Sequence, residues 1–194
     1  MDDSPSDLAE YEERFARNLI GPPEKLTGPI EIADYDPGWP ILYEQEASRI
    51  QSALGDRVVR MAHVGSTSVP GLPAKPLIDI VLEVPDSSDE DGYVPMLQEA
   101  GYRLRGRETD WFQHRLFKGR DIDINLHVFT AGCAEVDRML KFRDWLRTSQ
   151  EDRELYLRTK RELAARRWTY MQQYADAKTA IVKEIMARAE AHQT

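Results

Sequence analysis

The chain reads as an α/β (α+β) protein with a helical C-terminal third, and three observations carry that reading. Short apolar runs bounded by turn residues alternate with helix-spaced segments as far as Phe129, and from Glu135 onward only helical spacing is found. Between them, the segment from His63 to Ile80 joins a loop of small residues to an apolar strand that carries one aspartate, Asp79.

The elements follow in order. Leu8, Tyr11, Phe15 and Leu19 stand at helical spacing, so residues 6–19 predict a helix that Gly21, Pro22 and Pro23 stop. Residues 1–29 thereby form an N-terminal helical extension to a main domain at 30–194. Ile30 to Ala33 reads as a short strand, and Asp34 to Gly38 turns it into a helix with Trp39, Leu42, Tyr43 and Ile50 on one side. Val58 to Val64 and Leu77 to Val84 are strands, the second apolar enough for a sheet interior. Tyr93 to Ala100 is helical and ends at Gly101. Three more strands are expected at Tyr102–Arg105, Trp111–Lys118 and Asp121–Phe129, the last two joined across Gly119 and Arg120. Three helices should follow, with apolar stripes at Met139, Phe142, Trp145 and Leu146, at Leu155, Tyr156 and Leu163, and at Tyr170, Tyr174, Ile181 and Ile185.

Composition narrows the function classes. The 194 residues carry 31% charged side chains and a formal net charge of -8, which argues against general nucleic-acid binding, since phosphate neutralisation needs a basic face. No apolar run approaches a membrane span and the first residues are acidic, so a cytoplasmic protein without membrane contact is expected. Cys133 is the single cysteine, which excludes an intrachain disulfide and a cysteine-based zinc cage.

Gly65, Ser66, Thr67 and Ser68 offer backbone N–H groups and three hydroxyls to an anion at close range. Asp79 supplies the hard oxygen ligand that Mg²⁺ needs beside such an anion. Strand alternation puts Asp79, Val81 and Glu83 on one face, and Asp121, Asp123, Asn125 and His127 share a face of the later strand. If these polar faces adjoin, Asp79 meets Asp123, Asn125 or His127 over one groove. The ordinary alternatives are a salt bridge from Asp79 to Lys75 or an arginine, the polar alternation of any half-exposed strand, and hydrogen-bonded core roles for His63 and His127. His63 fits the core role better. Lys75 could neutralise a phosphate or lie on the surface. The pairs Tyr174/Lys178 and Tyr156/Lys160, each four residues apart, can present a ring and a cation together.

These residues resemble the GrpB family (UPF0157) over about Ile30 to Ala189. The resemblance rests on Asp34 to Pro37 with Trp39, the block His63 to Pro76 with Asp79, Asn125 to Val128, Phe142 to Arg147, Tyr156 to Lys160 and Tyr174 to Lys178. It implies a nucleotidyltransferase-like fold, with a polymerase-β-palm-like mixed sheet flanked by helices. Gly65 and Ser66 would then grip a triphosphate, and Asp79, with Asp123 or His127, would ligate Mg²⁺. That superfamily usually carries a second carboxylate two residues after the first, where this chain has Val81.

Two functions from different classes follow. As an enzyme, the protein would transfer a nucleoside monophosphate from a nucleoside triphosphate to a small-molecule acceptor, with His127 as general base and Lys75, Arg143 or Lys178 neutralising the leaving pyrophosphate. As a catalytically inactive module, it would bind a nucleotide or a coenzyme-A-like ligand. A scaffold without a ligand is the blandest alternative.

Overall fold

A computed structural model describes residues 5–192. Its strands are β1 (Arg60–Val64), β2 (Ile78–Val84), β3 (Arg103–Glu108), β4 (His114–Lys118) and β5 (Ile124–Thr130). Its helices are α1 (Pro5–Ala16), α2 (Gly38–Leu54), α3 (Val94–Glu99), α4 (Ala134–Thr148), α5 (Gln150–Ala164), α6 (Met171–Ala177) and α7 (Thr179–Ala191). The strands make one mixed sheet in the order β1-β2-β5-β4-β3, in which β2 and β5 are parallel and every other pair is antiparallel. The expected mixed sheet flanked by helices is therefore present.

Alternation along the strands builds the core. Ile78, Ile80, Leu82 and Val84 of β2 and Ile124, Leu126 and Val128 of β5 face one side. There they pack with Trp39, Ile50 and Leu54 of α2 and Leu97 of α3. On the opposite face Val64, Val81 and Phe129 pack against Val136 and Leu140 of α4. Helix α4 covers the Val64, Val81 and Phe129 part of this face, and the polar residues Asp79, Asn125 and His127 lie on the same face nearer the N-terminal ends of β2 and β5.

Several boundaries depart from the sequence reading. The strand expected at Ile30–Ala33 shrinks to one bridge, Ala33 with Ala74 at 2.9 Å in both directions, because Ile30 is drawn into a separate cluster with Leu163, Ala164 and Tyr174. Strand β5 starts at Ile124 and leaves Asp121 and Asp123 in the preceding loop. Strand β4 starts at His114, since Phe112 and Gln113 take left-handed backbone with φ of 54° and 52°. The C-terminal third holds four helices where three were expected. The chain bends at Lys178, whose N–H reaches Ala175, and the bend lets Tyr174 join the Ile30 cluster while Ile181 and Ile185 join Leu146 and Tyr156.

The N-terminal extension covers an edge. Ile20 donates to the Arg105 carbonyl and Arg107 to the Asn18 carbonyl, each at 2.8 Å, which pairs the outer side of β3 that would otherwise be open. Helix α1 reaches α6 through Tyr11, whose hydroxyl donates to Asp176 at 2.8 Å.

Candidate functional site

The loop after β1 is shaped by Gly65, whose φ of 70° and ψ of -175° suit only glycine. A side chain here would also collide with the Asp79 carboxylate, so loop and aspartate are in direct contact. The next three residues form a short 3-10 helix, Ser66–Ser68. Thr67 and Ser68 turn inward. The Thr67 hydroxyl donates to the Leu77 carbonyl at 2.9 Å and the Ser68 hydroxyl to the Gly65 carbonyl at 2.6 Å. Gly65 and Ser66 are left half-buried toward the groove.

His63 has the expected core role. Its ring stacks on Tyr43 at 4.9 Å, and because the Thr67 proton is committed to Leu77, His63 Nε2–H donates to Thr67 at 3.0 Å. Burial pushes its pKa down to about 4, so it is neutral. Helix α4 fixes the loop from above. Arg147 donates to the Ser68 carbonyl at 2.7 and 3.1 Å, and Arg143 Nη1 to the His63 carbonyl at 3.0 Å. Arg143, expected at a phosphate, thus holds the loop and pairs with Asp144.

Asp79 and Asn125 are register partners, as are Val81 and His127. The polar faces therefore adjoin. Lys118 donates to Asn125 Oδ1 at 2.5 Å, which orients the amide so that Nδ2 donates to Asp79 Oδ1 at 2.8 Å. His127 Nε2 stands 3.7 Å from the same oxygen. Burial opposes ionisation of Asp79. The Asn125 amide, the charge of Lys178 and the His127 imidazole in its protonated form, which alone can donate from Nε2, together outweigh it and hold the carboxyl below its ordinary value.

Behind His127 lies a chain of groups. Its Nδ1 is 3.0 Å from His114 Nε2, and His114 Nδ1 is 2.6 Å from Glu108 Oε2. Burial lowers the His114 pKa against the opposing pull of Glu108, so His114 is neutral, with its proton on Nδ1 toward the carboxylate. His114 Nε2 is then an acceptor and His127 Nδ1 the donor. In neutral His127 this leaves the Nε2 lone pair directed at the Asp79 groove. His114 and Glu108 escaped the sequence reading; the available signal was the alternation along β4, which puts His114 and Lys118 on one face.

Cations gather opposite. Lys178 lies 4.6 Å over the Tyr174 ring and has no carboxylate partner among the described residues. Lys160 is buried, donates to the Pro73 carbonyl at 2.6 Å and sits 5.1 Å over the Tyr156 ring. Burial, with Lys178 and Arg161 nearby, pushes its pKa down to about 7. Tyr156 is pushed up to about 12 by burial, with Ser66 and Asp79 as its polar neighbours. Asp123 is 46% exposed in its side chain and pairs with Lys75 at 3.1 Å and Lys118 at 3.9 Å, so it joins Asp79 only through Lys118 and Asn125.

Among the described residues no three His, Cys, Asp or Glu side chains converge on one cation position. Val81, two residues after Asp79 where the resemblance led one to look for a second carboxylate, is fully buried beneath α4. Among the described residues Asp79 alone brings a carboxylate to the Gly65 loop. This donor set fits one hydrated Mg²⁺ shared with a ligand's own phosphates, a mode that needs only one or two protein carboxylates. It lacks the ligands of a two-metal clamp.

A mixed five-stranded sheet with a glycine–serine loop against a central-strand aspartate defines the structural class. The chain belongs to the GrpB family: the model described as GrpB protein matches residues 29–188. UPF0157 protein BH1888 of Halalkalibacterium halodurans is 53% identical over 191 residues, 98% of each chain. The crystal structure of conserved protein GrpB from Enterococcus faecalis superposes with a TM-score of 0.72 at 26% identity, covering 84% of this chain and all of that one. A protein named dephospho-CoA kinase, from Mycolicibacterium paratuberculosis, is 30% identical over 179 residues, 78% of this chain but 44% of that protein. Among the described residues no helix is long and apolar enough to cross a membrane.

Proposed function

We propose that the groove between Gly65–Ser66, Asp79 and Lys178 binds the phosphate chain of a nucleoside triphosphate and transfers its nucleoside monophosphate to a small-molecule acceptor. The observation that carries this reading is the charge arrangement. In a chain of net charge -8, Lys178 lies over the Tyr174 ring with no ion pair among the described residues, near enough to Asp79 for its charge to lower that carboxyl's pKa, and the buried Lys160 lies close to it. An unpaired cation beside a small-residue loop favours a polyanion.

The residues divide the work. His127 Nε2 accepts the proton of an acceptor hydroxyl as its oxygen bonds to the α-phosphorus. The bond from that phosphorus to the bridging oxygen breaks, and pyrophosphate leaves toward Lys178. Glu108 and His114 keep His127 in the tautomer that can accept. Asp79, with a ligand's phosphates, would hold Mg²⁺, which when bound supplies charge neutralisation on the phosphoryl oxygens. Asn125 and Lys118 orient Asp79, and Lys75 with Asp123 closes the groove's edge.

A second reading has a specific support. Val81 fills the second-carboxylate position with packed hydrocarbon, which suits a module that binds a nucleotide or coenzyme-A-like ligand without turnover. The experiment is titration with ATP, GTP, CTP, UTP and coenzyme A with and without Mg²⁺, alongside pyrophosphate release in the presence of mixed hydroxyl, amine and carboxylate acceptors. Mg²⁺-dependent triphosphate binding with release that Asp79→Asn abolishes supports transfer. Binding without release supports the module, and no binding of any of these ligands removes both.

A further inference from the structure

The turn between β3 and β4 is the most strained segment of the described chain and carries a feature that the phosphate site does not use. Phe112 and Gln113 both adopt left-handed backbone, an arrangement that costs roughly 1–2 kcal/mol for each residue other than glycine. The turn is clamped from outside. The Gln113 carbonyl accepts from the buried Ser87 hydroxyl at 2.9 Å and from Arg115 at 2.8 Å, and Arg115 is itself held by Glu90 at 2.6 Å.

What the clamp presents is a pair of rings. Trp111 is 37% exposed and Phe112 49% exposed, and their centroids lie 5.8 Å apart. The other two exposed large hydrophobic residues stand elsewhere, Ile41 on α2 and Val59 just before β1, so these rings form the one exposed aromatic pair among the described residues. The Trp111 ring stands roughly perpendicular to His114 at 5.1 Å and to Phe129 at 5.7 Å, which ties it to the face of the sheet that carries the site while the residue stays 37% exposed. His114 stacks on His127 at 5.1 Å, and His127 faces Asp79. A line of touching groups thus runs along one face of the sheet, from the aspartate at the phosphate end to the aromatic pair.

We propose that Trp111 and Phe112, held on the clamped turn between β3 and β4, form the stacking subsite for the nucleobase of the ligand whose phosphates occupy the Gly65–Lys178 end of the groove. The inference rests on the phosphate reading above and adds the ligand's other end to it. Exposed aromatic rings on a clamped turn suit a planar heterocycle, because every base has a π-face and stacking needs no particular hydrogen-bond pattern. The same feature predicts modest discrimination among bases.

The test uses the full chain, titrated by calorimetry with ATP, GTP, CTP and UTP and with inorganic tripolyphosphate, all with Mg²⁺. Trp111→Ala removes one ring. Phe112→Gly removes the other while supplying the residue that left-handed backbone prefers, so this variant keeps its fold even if the first does not. The wild type should bind at least one nucleoside triphosphate about ten-fold more tightly than tripolyphosphate. Each folded variant should lose most of that preference, with tripolyphosphate affinity changed less than two-fold. No preference in the wild type, or a preference that survives Phe112→Gly and a folded Trp111→Ala, overturns the inference and leaves the phosphate site standing. Failure of the wild type to bind tripolyphosphate and every triphosphate overturns the phosphate reading itself, and the base subsite with it.

Discussion

Gly65→Ala offers the sharpest structural test of the contact between loop and aspartate. The substitution acts twice. The backbone at φ 70° and ψ -175° is essentially restricted to glycine, and holding another residue there costs about 1–3 kcal/mol. The new methyl also falls on the Asp79 carboxylate, which must move and give up the Asn125 hydrogen bond, a charged bond of about 1.5–3 kcal/mol. Together these predict a loss of about 3–5 kcal/mol, which for a chain of this length lowers Tm by roughly 10 °C. Gly71→Ala is the internal control. Gly71 has a similar φ of 75° but open space where its side chain would go, so it should lose only the backbone cost of about 1 kcal/mol. Thermal and urea denaturation of the two variants, with triphosphate titration, measure the difference. Equal stability losses in both, or wild-type ligand binding by Gly65→Ala, would refute the argument that the aspartate is seated against the loop.

Other predictions follow from the same geometry. Glu108→Ala removes the acceptor that fixes the His114 tautomer, so any transfer rate should fall roughly 10-fold to 100-fold in kcat with KM little changed. Glu108→Gln, whose amide oxygen can accept the same bond, should restore most of it; equal losses in both variants would remove the positioning role. Val81→Asp should not create a second metal ligand. It buries an unpaired carboxylate under α4 and should cost about 3–5 kcal/mol in urea denaturation, with no gain in Mg²⁺ affinity. Stability should also rise with pH between about 4 and 6.5 because of His63. Its folded pKa lies below the unfolded value, so the unfolded chain binds the extra proton in that window, and up to about 3 kcal/mol is lost as pH falls through it. His63→Gln should flatten that part of the stability profile; an unchanged slope would contradict a neutral buried imidazole.

The sequence exposed much of the sheet and one half of the site. Alternation along Leu77–Val84 and Asp121–Phe129 placed Asp79, Asn125 and His127 on polar faces, and the register of β2 against β5 brings those faces together. Periodicity could not show where pairing stops. Asp123 shares the alternation of β5 but lies before its first residue, where two lysines compete for it. Nor could it show which hydroxyls a loop consumes internally, and Thr67 and Ser68 are spent on neighbouring carbonyls. His114 was hidden because its partner Glu108 lies across a turn whose left-handed residues, Phe112 and Gln113, carry no glycine to announce it. The break at Lys178 was hidden for a different reason. Both sides of it have helical spacing, and only the two separate clusters that Tyr174 and Ile181 enter require the bend.

In the proposed function the cations opposite Asp79 receive a phosphate chain. Titration of the wild type and Lys178→Met with tripolyphosphate and the four nucleoside triphosphates in Mg²⁺, at two salt concentrations, tests it most directly. The wild type should show saturable binding that weakens with salt, and the variant, whose fold is intact because Lys178 forms no ion pair among the described residues, should bind about ten-fold more weakly. Absence of binding in the wild type, or equal affinities in the two proteins, would contradict the proposed function.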